Sequence, residues 1–272
     1  MEGTQMAMHD PLLDQTGGGL RVAYSTGRML NTEDFQAEQL YHRGRLAHAT
    51  RWLIGAGTVN GLNVTEQTSS AGEKELQISP GLAVDRAGRL IEVFFTLCIR
   101  LQAWLDAQST SDLSNAFKTA DSAIVADIFI GYEQDEQGKT PSFMSGDYDN
   151  TDAFTANRFL DSFSAQMYLR AEAVPPLPVD PWAAAFSGAT IDINTIKTAL
   201  LNGASGAAMP PAEYPLGADP TTIFLARMKV AATRANPGNR PVYDLTKPVV
   251  IDNLSRQFVY PTSLLAQWLS KK

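Results

Sequence analysis

Between residues 32 and 54 the apolar positions recur at helical spacing: Phe35, His42, Leu46, Ala49 and Leu53 share a face, while Glu38, Arg43 and Thr50 fall elsewhere on the wheel. Asn31 or Thr32 is placed to cap this helix, and Glu33 and Asp34 sit in its first turn, where negative charge meets the positive end of the helix dipole. Gly55 and Gly57 end it. Past them the period changes to two. Leu62 and Val64 alternate with Asn63 and Thr65, Leu76 and Ile78 flank Gln77, and Leu82 and Val84 lead into the turn Asp85-Arg-Ala-Gly88. An extended run resumes at residues 90–101. This pattern predicts a small antiparallel sheet packed on an N-terminal helix, with a hairpin at Asp85 where Gly88 supplies a positive φ.

Further on, residues 101–108 and 113–117 read as short helical pieces, and 123–132 as a strand buried on both faces. An acidic loop is expected next. Residues 151–173, with Phe154, Phe159, Phe163, Met167 and Tyr168, fit either a helix or an extended segment, and Pro175, Pro176, Pro178 and Pro181 then break the chain. A short helix is expected at 192–201, a Gly, Ala and Pro-rich surface loop at 202–220, and a strand at 221–230. The last element is an amphipathic helix over 263–269. Terminal helices of this kind ordinarily dock on their own domain; reaching a neighbour instead, this one would use Leu264, Trp268 and Leu269. Residues 1–20 read as a flexible arm, either an idle tail or a strap that orders on a neighbouring subunit. The organisation expected is therefore mixed α+β: the arm, then one principal domain over 21–272 with an irregular insertion at 134–220.

Composition narrows the classes. With 44% apolar and 19% charged residues the chain is an ordinary packed protein, and its net charge of −7 argues against nucleic acid, which is bound by Lys and Arg neutralising phosphates. No stretch approaches the roughly 18 apolar residues of a membrane span, and the N-terminus lacks a signal-peptide pattern, so assembly in the cytoplasm without membrane insertion is the expectation. Cys98 is the single cysteine, which excludes an internal disulfide framework; its apolar surroundings suggest a core position.

Four patterns approach chemistry and fall short. Gly55-Ala-Gly57-Thr-Val-Asn-Gly61 has neither the spacing nor the strand-then-helix order of a dinucleotide fingerprint. Gly138-Lys139-Thr140 looks like the end of a phosphate loop, but Glu133 stands where that loop begins with glycine and Pro141 where its helix begins. Asp147, Asp149 and Asp152 alternate as calcium ligands do, yet the loop positions that require Gly and Glu hold Asp152 and Arg158. His42 and His48 are six residues apart, on different helix faces, with no carboxylate at metal-ligand spacing, and His9 stands alone. No catalytic, cofactor or metal residue emerges.

The ordered motif Gly27-Arg-Met-Leu, Asp34-Phe35 through Glu38, Tyr41, His42 and Arg45, then Gly55-x-Gly57-x-Val-x-Gly61-Leu, then Pro80-Gly81 through Asp85, Gly88 and Arg89, resembles a family of structural proteins encoded with phage-tail-like (extracellular) contractile injection systems. Residues 223–230 and the segment Asp252-Asn-Leu-Ser-Arg256 resemble that family's closing portion. In those relatives the helix is followed by His-Gly-x-Gly, where this chain has Ile54-Gly55-Ala-Gly57. The resemblance implies a non-enzymatic subunit at the baseplate periphery, a fibre attachment or a cap or adaptor position, homo-oligomeric and docking with other particle subunits; a receptor- or glycan-binding fibre module is the alternative, ahead of a cell-wall hydrolase or cargo toxin. On this reading residues 32–61 fix the core, while the arm, the middle and the Trp268 helix meet neighbours.

Overall fold

The structure, a computed structural model, describes residues 21–141, 154–179, 193–201, 212–215 and 217–271. Helix α1 (Thr32–Leu53) begins at a capping box in which Asn31 Oδ1 accepts from the Asp34 N–H at 3.0 Å and Asp34 Oδ2 accepts from the Asn31 N–H at 3.2 Å. Two small antiparallel sheets follow: β1 (Gly57–Gly61), β4 (Gly81–Val84) and β5 (Leu90–Val93) in the order β1-β4-β5, and β2 (Val64–Thr68), β3 (Lys74–Ile78) and β6 (Leu97–Arg100) in the order β2-β3-β6. Helices α2 (Leu101–Asp106) and α3 (Thr110–Ala116) lead through β7 (Phe117–Lys118) into the third sheet.

That sheet is built on β8 (Ala123–Pro141). One edge of β8 pairs with β10 (Ile223–Thr233), the other with β7 and β9 (Phe154–Leu169), all antiparallel. Strands β11 (Val242–Tyr243) and β12 (Val250–Asp252) line the far edge of β10, and α4 (Ile193–Leu201) and α5 (Thr262–Ser270) complete the described elements. Ile124, Ala126, Ile128 and Ile130 of β8 point into the main core with Leu76, Ile78, Leu101 and Leu105, while Phe129 on the opposite face packs with Tyr214 and Phe224. Period-two alternation with both faces apolar is what the sequence of β8 dictates.

The mixed α+β reading holds, with the N-terminal helix packed on the small sheets, and the short helices and the strand at 223 stand where the periodicity puts them. Three expectations are corrected. The acidic stretch after residue 132 is no loop: β8 continues to Pro141 against β9, so beyond Ile130, where pairing with β10 stops, the two form a projecting ribbon. Its alternation is masked by Glu133, Asp135 and Glu136, which a solvated ribbon tolerates. Cys98 is exposed rather than buried, because Leu97 and Ile99 turn toward the core and the pleat sends the residue between them outward. Within α1, the side nearest the body carries half-buried Gly44 and buried Ala47 and Thr50, not the apolar stripe.

The contact that seats α1 is backbone to backbone. At the β4–β5 turn Gly88 has φ +91°, its N–H donates to the Asp85 carbonyl at 3.0 Å, and a Cβ there would lie 1.9 Å from the Ala47 carbonyl oxygen. Gly88→Ala therefore combines a left-handed backbone with a steric clash, and is expected to cost about 2–4 kcal/mol; a urea titration showing less than about 0.5 kcal/mol would mean that α1 is not seated by this contact.

Candidate interaction surface

The hairpin motif is organised by Asp85. Its Oδ1 accepts from the N–H groups of Ala87 at 2.9 Å and Arg89 at 2.7 Å, and its Oδ2 from Arg89 Nε at 2.6 Å. Burial pushes the Asp85 carboxyl up, and the Arg89 guanidinium opposes that shift. Arg89 also donates to Thr221 Oγ1 at 3.0 Å and lies over the Tyr132 ring at 4.6 Å. Gly61, Pro80 and Gly81 bring β1 against β4 so closely that a Cβ on Gly61 would lie 2.1 Å from the Pro80 carbonyl oxygen. Gly57 does the same against Gln257, where the Thr58 N–H donates to the Gln257 carbonyl at 2.9 Å. Gly27 and Gly55 have open space around the position of a Cβ, and their role is their positive φ alone.

The segment Asp252–Arg256, which carried part of the resemblance, is a clasp. Asn253 exchanges two hydrogen bonds of 2.9 Å with the backbone of Val64, and Arg256 Nη1 donates to the Leu62 carbonyl at 2.7 Å. Burial pulls the Arg256 pKa down to about 10. The clasp holds Leu62, fully buried at φ +54°, in a conformation that a non-glycine residue adopts only under constraint.

A buried polar cluster lies on the other face of β8, and sequence reasoning missed it because its members are far apart in the chain. Asp127 accepts from Arg227 Nε at 2.7 Å, Arg227 Nη2 at 2.8 Å and Arg170 Nη1 at 2.7 Å, and the side chains of Asp127 and Arg170 are fully buried. Arg227 reaches the carbonyls of Pro175 and Pro176, and Arg170 that of Glu213, whose carboxylate takes Arg86 at 2.6 Å. Both oxygens of Asp127 are thus held by guanidinium donors. The arrangement is a lock on the covering segments.

Elsewhere the chemistry is sparse. A shallow depression lined by Asp121, Ala123, Lys229, Ala231, Pro248 and Val250 is crossed by the Lys229–Asp121 ion pair of 2.9 Å. Among the described residues no group of three His, Cys, Asp or Glu is placed to hold a metal, and no helix is long and apolar enough to cross a membrane. His42 and His48 are exposed on α1; His9 and the alternating Asp147, Asp149 and Asp152 lie outside the described residues.

Large apolar side chains are what the surface offers instead. Phe35 is 51% exposed, Leu46 63% and Leu53 84%, so the stripe read from the sequence faces outward, while Tyr41 is half-buried and stacks edge-on against His42. The expected docking of α5 on its own domain is not seen: Leu264, Leu265, Trp268 and Leu269 are all exposed and no residue of the helix is buried. The parallel bridge between Thr58 and Phe258 sets the end of α1 beside the approach to α5. The Gly-rich motif and this apolar surface are therefore separate features, the first holding the frame and the second displayed by it. No protein-family model matches the chain, and no curated protein matches it.

Two outcomes test the roles given to these polar groups. Asp127→Ala deprives the buried Arg170 and the half-buried Arg227 of their shared carboxylate and is expected to cost about 3–5 kcal/mol in urea unfolding, whereas Glu172→Gln, at the half-exposed end of Arg170, should cost under about 1 kcal/mol. Tyr243, hydrogen-bonded to Asp106, has its pKa pushed up from 10.0 to about 12, chiefly by burial and then by that carboxylate. Because the folded pKa is raised, the contribution is fully present below pH 10 and is lost as pH rises to about 12. Tyr243→Phe should flatten the fall in stability across that interval; an unchanged slope would dismiss the linkage.

Proposed function

We propose that this chain is a non-enzymatic structural subunit that works by docking to copies of itself and to other subunits of a phage-tail-like contractile particle. The observation that carries the reading is the orientation of α1. A helix whose body-facing side is Gly44, Ala47 and Thr50, and whose Phe35, Leu46 and Leu53 point to solvent, has its apolar face directed at something other than its own core. Helix α5 repeats the arrangement with Leu264, Trp268 and Leu269. The particle itself enters through the sequence resemblance, carried by the motif from Gly27 to Arg89, whose glycines and Asp85 hairpin build the frame that displays α1.

Rigid display of apolar faces suits a repeating assembly, where each contact recurs by symmetry and modest interfaces act together. Purification of intact particles from lysate is expected to bring this chain down at fixed stoichiometry with sheath and tube subunits. Leu46→Asp and Leu264→Asp, both at exposed positions, should change unfolding stability by no more than about 0.5 kcal/mol and yet reduce incorporation several-fold. Particles that contain none of the chain would overturn the reading.

A further inference from the structure

We propose that α1 packs against α1 of a second copy of this chain, antiparallel and about a two-fold axis. This deepens the docking reading above and rests on it. The outward stripe is more regular than a general apolar face: positions 35, 39, 42, 46, 49 and 53 alternate steps of four and three, the spacing of a seam that meets another helix. Its occupants are Phe35, Gln39, His42, Leu46, Ala49 and Leu53, all at least 36% exposed. Gly44 and Ala47, which face the body, lie on the other side of the helix, so a second helix laid on the seam does not contend with the small sheets.

Charge selects both partner and direction. The first two turns of α1 carry Glu33, Asp34 and Glu38, and the second half carries Arg43, Arg45 and Arg51. In a parallel copy Glu38 would look to the partner's Arg43, which is half-buried and already donates to the Tyr132 hydroxyl at 3.3 Å. An antiparallel copy lays each acidic half against a basic half and opposes the helix dipoles as well. Glu38 and Arg45 flank the seam on the same side, seven residues apart. With Phe35 on the partner's Leu46 and Gln39 on the partner's His42, Glu38, which keeps its hydrogen bond from Tyr24, comes beside the partner's Arg45; the two-fold repeats these contacts, and Ala49 and Leu53 lie past the paired stretch, opposite the partner's Thr32 and the partner's Arg28. Such a contact is isologous and closes on itself, giving a dimer and no filament.

Sedimentation velocity of the purified full chain tests this, alongside unfolding curves that confirm each variant is folded. Wild type is expected to dimerise with a dissociation constant on the order of 10 μM, as befits a contact of one helix per copy. Leu46→Asp should be monomeric. Glu38→Arg and Arg45→Glu should each weaken the dimer about ten-fold, because a single reversal replaces two attractions with two repulsions, and the double variant E38R/R45E should return to within about three-fold of wild type. A wild type that stays monomeric up to about 100 μM, ten times the expected constant, overturns the proposal. So does a dimer that survives Leu46→Asp, or a double variant no better than either single one. Particle incorporation is read separately: a dimer absent from particles fails the particle reading and leaves this one standing, and incorporation of a chain that never dimerises does the reverse.

Discussion

Asp127 is the constraint on which the body depends. It stands on the central strand, pointing away from the main core, where a lone carboxylate would be prohibitively desolvated. Arg170 and Arg227 neutralise it, and their remaining donors go to the carbonyls of Pro175 and Pro176 from Arg227, and to the Glu213 carbonyl and the Glu172 carboxylate from Arg170. Satisfying one buried charge therefore fixes two covering segments over Phe129, Tyr214 and Phe224. The body is closed on this face by its own chain, and α1 and α5 are among the elements that leave large apolar groups outside.

The frame was largely legible in the sequence. Asp85 and Gly88 announced their hairpin because the turn requires those residue types for local reasons, a carboxylate to collect N–H groups and a glycine for positive φ. The helix start was legible as a cap at Asn31 or Thr32 with acidic residues in the first turn; the structure selects Asn31 and makes Asp34, three residues on, its reciprocal partner. The Asp127 cluster was not. Asp127 sits in a run that reads as buried on both faces, but Arg170 and Arg227 lie 43 and 100 positions from it, and nothing in the local pattern names them as its partners.

Helix α1 shows a second way in which a correct pattern can mislead. The periodicity identified the helix and its apolar face, and the inference from apolar face to own core was where it failed. Periodicity reports that a face wants to be dry and says nothing about what dries it. The competing signal was present: Gly44, Ala47 and Thr50 form a stripe of small side chains, which lets the helix backbone approach the Gly88 turn as no row of leucines could. Small-residue rows and large-residue rows on the same helix mark two different neighbours, the close one being backbone and the other side chains. Trp268 tells the same story at α5, where the ordinary habit of terminal helices gave the wrong expectation.

An exposed apolar stripe is a liability unless something limits what it binds. The net charge of −7 supplies part of that limit, since copies repel one another at long range and a contact forms only where local charge reverses the sign. Helix α1 is acidic at its start and basic toward its end, so in the proposed antiparallel contact the same element would carry both the attraction and its direction. The Gly88 contact gives this arrangement its precision. The helix backbone meets the Gly88 turn at Ala47, and turning the stripe inward would bring large side chains into that close approach. The local rules that make the motif recognisable in sequence, glycines where backbones touch and a carboxylate closing a hairpin, are thus the same rules that keep the apolar face turned outward.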